Sequence, residues 1–169
     1  IITALLELNV LRAFKPLKVG LELPEDYSIR EQSGVTTWFF GELASKLKGA
    51  GIEVIPLENP DLWDYHQAIE IAKAVLDGRL KKESIELELK GINNKLAYTP
   101  EGLSGSGRVI FAKRYQAALD ILKNNPTPEQ FKQLWEASIK NRDAYIGGKI
   151  KGAGLDISVI GYGHTQNLK

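Results

Sequence analysis

GELASKLKGAGIEVIPLE, residues 41–58, decides the fold. Leu43 and Leu47, one helical turn apart, continue a stripe begun by Trp38 and Phe39, which predicts a helix over about 35–48. The glycines of "GAG" accept the left-handed backbone that closes a helix. "IEVIPLE" follows at once as a short strand. Upstream, "LKVGLEL" (17–23) alternates Leu17, Val19, Leu21 and Leu23, the period of a half-buried strand. Strand, helix, glycine turn and strand together spell a βαβ unit with parallel strands.

Around this unit the chain reads outward in both directions. Apolar spacing over residues 2–14 (Leu5, Leu8 and Leu11, or Leu6, Val10 and Phe14) predicts a helix that Pro16 stops. "PEDYSIREQSG" reads as a polar connection. Past the second strand, "NPDLWDYHQAIEIAKAVLDG" predicts a helix opened by Asn59 or Asp61, closed by Gly78, with Trp63, Ala68, Ile71 and Val75 on one face. "KKESIELELKGINNK" admits two readings. Ile85, Leu87 and Leu89 alternate like a strand, whereas Ile85, Leu89, Ile92 and Leu96 fit a helix, which the density of Glu, Leu and Lys favours.

Residues 97–107 read as loop. Phe111, Tyr115, Ala118 and Leu122 mark the next helix, and "TPEQ" predicts a capping box at Thr127. The helix it opens carries Phe131, Leu134, Trp135, Ile139 and Ala144, and "LDISVIGY" is a third strand candidate. No internal repeat or low-complexity linker divides the chain, so residues 1–169 are expected to form a single α/β domain, with a small, mainly parallel sheet covered by helices.

Composition narrows the function classes. The 22 Lys and Arg balance 21 Asp and Glu, which leaves no broad basic field for nucleic acid. With no cysteine there is no disulfide, thiolate metal site or cysteine nucleophile, and two histidines make no His-rich cluster. No apolar run is long enough for a membrane span. The expected compartment is the cytoplasm. No cofactor and no metal is expected, and self-association through exposed apolar surface remains open.

Several stretches invite chemistry. "GLSGSGRV" (102–109) has the glycine spacing of half a P-loop ahead of a helix, but Arg108 and Val109 stand where that motif needs Lys and then Ser or Thr. Ser104 or Ser106 as a nucleophile needs a base, and nothing in the spacing places Lys113 or Lys95 there. The favoured reading of Gly102–Gly107 is a solvated turn. Pro60-Asp61 with Glu88-Leu89-Lys90 has the form of a metal-dependent nuclease pattern, but the segment between reads as helix. His66 reads as a partly exposed helix residue. His164 follows a strand candidate, where α/β folds often build sites. Trp38, Trp63 and Trp135 all lie on apolar stripes that core packing explains.

The order of segments resembles the later part of the amidase signature family. "FKPLKVGLELPED" is similar to that family's strand after the signature region, and "GELASKLKGAGIEVIPLENPDLWDYHQAIEIAKA" to its following helix, strand and helix. "PTPEQFKQLWEASIKNRDAYIGGKIKGAGLDISVIGYGHTQNL" is similar to its long helix with an arginine, then an "LDALVxP" strand and an Asn-containing loop. The matching positions are Arg142, Leu155, Asp156, Val159 and Asn167. The resemblance implies an α/β enzyme that cleaves the C–N bond of carboxamides through a Lys–Ser–Ser set lying upstream of these segments. None of that set is present, so the expectation is a non-catalytic C-terminal portion that shapes the substrate entrance, its partner being the missing N-terminal signature region. The absence of any methionine fits a piece of a longer protein.

A second resemblance competes. "LKGAGIEVIPLENPDLWDYHQAIEIAKAVLDG" is also similar to the first βαβ segment of ribose-5-phosphate isomerase B-like proteins. It implies a sugar-phosphate domain with Gly102–Gly107 as phosphate loop and Arg108 as its cation. The Asp-His and Cys-Thr chemistry of that family is missing: "VGLELPED" has no His and the chain has no Cys.

Overall fold

The computed structural model describes residues 18–32, 38–98 and 103–160. Its sheet has three strands, β1 (Lys18–Pro24), β2 (Glu53–Glu58) and β3 (Ile157–Val159), in the order β2-β1-β3. Both pairings are parallel, with Val19 opposite Val54 on one side and Ile157 on the other. A parallel sheet needs cover on both faces, and β1 is buried from Val19 to Pro24.

Alternation gives those faces different chemistry. Val19, Leu21, Leu23 and Val54 form a dry face under helix α2 (Trp38–Gly49), which contributes Leu43, Ala44 and Leu47. The opposite face carries Gly20 and Glu22. A Cβ at Gly20 would lie 2.5 Å from the Leu155 Cδ1 and 3.0 Å from the Leu57 Cδ1, so any larger residue there would have to push the ends of these leucine side chains aside. Gly51, at φ +76°, makes the left-handed turn into β2 that "GAG" predicts.

Between β2 and β3 lie four helices: α3 (Pro60–Leu76), α4 (Lys82–Tyr98), α5 (Leu103–Lys123) and α6 (Pro128–Gly152). Asn59 caps α3, its side chain accepting from the backbone N–H of Asp61 and Leu62, and the capping box at Thr127 opens α6. Ala68, Ile69 and Ala72 of α3 meet Ala118 and Leu122 of α5 and Phe131 of α6 in a second core. Ile85 and Leu89 dock α4 on Leu119. Leu87, 70% exposed, decides the ambiguous segment: in a strand it would share the buried face of Ile85 and Leu89, and in a helix it points away.

The structure corrects the sequence expectations at several places. "DYSIREQ" is not a plain connection, because Tyr27–Gln32 forms a short helix, α1. The expected loop at 97–107 is shorter at both ends: α4 runs to Tyr98 and α5 begins at Leu103, so "LSGSG" makes the first turns of a helix. Gly and Ser cost little in a first turn, and the run that follows carries the buried Ile110, Ala118, Leu119 and Leu122. Ala144, expected on the inner stripe of α6, is exposed. The helix predicted over 2–14, His164 and Asn167 lie outside the described residues.

Candidate functional site

Two carboxylates stand near the C-terminal ends of the paired strands, where open parallel sheets commonly place their sites. Glu22 projects from β1 and Glu58 closes β2, and both are buried. Arg142, on the middle of α6 and 5% exposed, answers both. Its Nε donates to Glu58 Oε1 at 2.9 Å and its Nη2 to Glu22 Oε1 at 3.1 Å, with a further short contact from Nη2 to Glu58 Oε1. The guanidinium carbon lies 4.9 Å from the centroid of the Trp63 ring. Trp63 is therefore more than core packing: it is the platform under a buried cation. Breaking such a pair typically costs about 3–5 kcal/mol, because one charge is left buried alone.

The arrangement continues along one face of α6. Tyr145 donates its hydroxyl to Glu25 Oε1 at 2.6 Å, and Lys149 bridges the same oxygen at 2.5 Å. The hydrogen bonds from Lys149 and Tyr145 hold the Glu25 carboxyl below its ordinary range. Arg142, Tyr145 and Lys149 thus lie three and four residues apart and fasten α6 across the end of β1 and the turn behind it.

Three of the other positions named in the resemblance, Leu155, Asp156 and Val159, meet the same strand. Leu155 packs over Gly20. Asp156 donates its N–H to the Lys18 carbonyl at 3.0 Å, and its Oδ2 accepts from the Lys18 N–H at 2.8 Å. Val159 lies opposite Leu21.

A second charged cluster ties α1, α3 and α5. Asp64 Oδ1 accepts from Arg30 Nη1 at 2.6 Å and Arg114 Nε at 2.7 Å, while Oδ2 accepts from Arg30 Nη2 at 2.9 Å. Arg30 Nε donates to Asp26 at 2.5 Å. Burial pushes the Asp64 carboxyl up, but hydrogen bonds from the two guanidiniums outweigh it and hold it below the usual carboxylate range. Burial lowers Arg114, and the hydrogen bond from Asp64 offsets this only in part. This cluster explains why α1 exists: its six residues have little intrinsic stability, and Arg30 anchors them.

The remaining sequence candidates separate. His66 is buried rather than partly exposed: its Nδ1 lies 3.0 Å from Ser138 Oγ, which itself donates to the Trp135 carbonyl at 2.8 Å. Its ring also lies against Trp135, with centroids 4.9 Å apart, so His66 joins α3 to α6 and Trp135 does pack.

Asp61 lies in the first turn of α3, whereas Glu88 accepts from the Tyr115 hydroxyl at 2.6 Å, beside helix α4's contacts with Ile71 and Val75. Ten or more residues of helix, about 15 Å, separate those positions along α3. Burial and the Glu88 hydrogen bond push the Tyr115 hydroxyl up to about 12. Among the described residues no three His, Asp or Glu side chains form a metal-binding group. Ser106 and Lys113 share α5 seven residues apart, about 10 Å along its axis, and no hydrogen bond between them is seen among the described residues. Arg108 and Val109 lie in the early turns of the same helix, and Val109 is exposed. Helical backbone at 103–107 removes most of the glycine loop that the phosphate reading requires.

Glu22, Glu58, Asp64, Arg30 and Arg114 were not singled out by their sequence context. The one available signal was a Glu inside the "LKVGLEL" alternation, on the face opposite its leucines. Chemically, both clusters hold and orient, since their carboxylates are engaged by guanidiniums. Comparison with models of known protein families, with curated proteins and with solved structures finds no match to this chain. Among the described residues no helix is long and apolar enough to cross a membrane.

Proposed function

We propose that this chain is the non-catalytic C-terminal portion of a cytoplasmic amidase-type hydrolase that cleaves carboxamide C–N bonds. One observation carries the reading. Four of the positions at which the sequence resembles that family, Arg142, Leu155, Asp156 and Val159, meet on a single strand, β1, through contacts with Glu22, Gly20, Lys18 and Leu21. Leu155, Asp156 and Val159 reach β1 through the neighbouring strand β3, and Arg142 reaches the same strand independently from α6. In this reading, the Lys–Ser–Ser set of the signature region supplies the nucleophile and the proton relay. This chain supplies a rigid wall: Arg142, seated on Trp63, fixes the ends of β1 and β2 against α6, and Glu25 fixes the turn that follows β1.

The test has two arms. The purified chain alone should hydrolyse no carboxamide and take no label from a serine-reactive fluorophosphonate. Joined behind the Lys–Ser–Ser segment of a family amidase, it should restore hydrolysis, and Arg142→Met in the chimera should abolish it. An adduct on Ser104 or Ser106 of the isolated chain would overturn the non-catalytic role. A folded chimera without activity would overturn the amidase assignment.

A further inference from the structure

Arg114 is a buried arginine that, among the described residues, spends little of its hydrogen-bonding capacity. It is 8% exposed, on the face of α5 that meets α3 and α1. Of the five N–H donors of a guanidinium, it uses the one on Nε, to Asp64 Oδ1 at 2.7 Å. Asp64 Oδ1 accepts from both Arg30 and Arg114 and its Oδ2 accepts from Arg30, and neither terminal nitrogen of Arg114 reaches it. Arg30 is the counterexample a few ångströms away: Nε, Nη1 and Nη2 all find carboxylate oxygens. Among the described residues, Nη1 and Nη2 of Arg114 donate to no acceptor. The Arg114 terminal amino groups therefore form a fork that is held from behind through Nε, lies in a largely desolvated position, and is unengaged among the described residues.

We infer that this fork is a binding site for a small oxyanion, specifically a monocarboxylate. A carboxylate matches the planar pair of N–H groups bidentately, and Nε anchoring by Asp64 removes the rotamer entropy such a contact normally costs. Charge selects the ligand. The surrounding Arg30, Arg114, Asp26 and Asp64 sum to zero, so one added negative charge is tolerated, whereas a phosphate dianion would approach two aspartates with a single open fork. The Phe111 ring, 5.8 Å from the Arg114 guanidinium carbon, adds an apolar wall. This site involves neither β1 nor Arg142, and it stands whether or not the chain belongs to an amidase.

The experiment is an acetate titration of the whole chain at fixed ionic strength, with chloride as the balancing anion, read on the arginine side-chain N–H resonances. Those of Arg114 should move saturably, with a millimolar dissociation constant, while those of Arg142 stay in place. Arg114→Lys, which keeps the charge and loses the fork, should weaken binding about tenfold, the worth of one charge-assisted hydrogen bond. Inorganic phosphate should bind more weakly than acetate. No saturable change at Arg114 in the unmodified chain would overturn the site, independently of how the variant folds. Tighter binding of phosphate than of acetate would overturn the monocarboxylate class.

Discussion

Arg142 and Arg114 are the same residue type, on neighbouring long helices, buried to nearly the same extent, and they do different work. Arg142 is a lock: its guanidinium spans carboxylates from two strands and lies against an indole. Arg114 pins a single aspartate, with its far end unengaged among the described residues. Burial alone does not tell these roles apart; the partners engaged do. Arg142 joins carboxylates of two strands through Nε and Nη2, whereas among the described residues Arg114 engages one aspartate through Nε alone.

The largest effect is expected where the lock is broken. Arg142→Met should leave Glu22 and Glu58 buried without their cation and cost about 3–5 kcal/mol of stability in urea unfolding. A loss under about 1 kcal/mol would mean that the carboxylates find water or protons without penalty.

Asp64→Asn sharpens the other side of the comparison. Asp64 is slightly exposed and Arg30 keeps Asp26, so the loss should be smaller, about 2 kcal/mol. Its pH dependence has a defined sign. The folded carboxyl lies below its unfolded value of about 3.9, so its contribution is present above that pH and is lost as pH falls through the folded value. Stability should therefore fall less steeply on acidification in Asp64→Asn than in the parent chain, and equal slopes would contradict the assigned cause.

What was legible in the sequence follows from the range of each interaction. The βαβ unit could be read because alternation in "LKVGLEL" and the left-handed glycine at 51 are local. The caps at Asn59 and Thr127 are local too. Helix α1 was missed because its stability comes from Asp64, 34 residues beyond Arg30. The start of α5 was missed because composition spoke for a turn while tertiary packing further along the helix prevailed. Arg142 was legible only as a matched position, since its partners lie 84 and 120 residues away. Nothing in "FAKRYQ" distinguishes Arg114 from the lysine beside it.

The central claim is that Arg142 and the β1 carboxylate form one energetic unit across the sheet and α6. A double-mutant cycle measures it: urea unfolding of the parent chain, Arg142→Met, Glu22→Gln and the double variant. The account predicts strong coupling, with the double variant more stable than the sum of the single losses by at least about 1 kcal/mol, as for residues sharing a buried ion pair. Additive losses, with no coupling between Arg142 and Glu22, would contradict it.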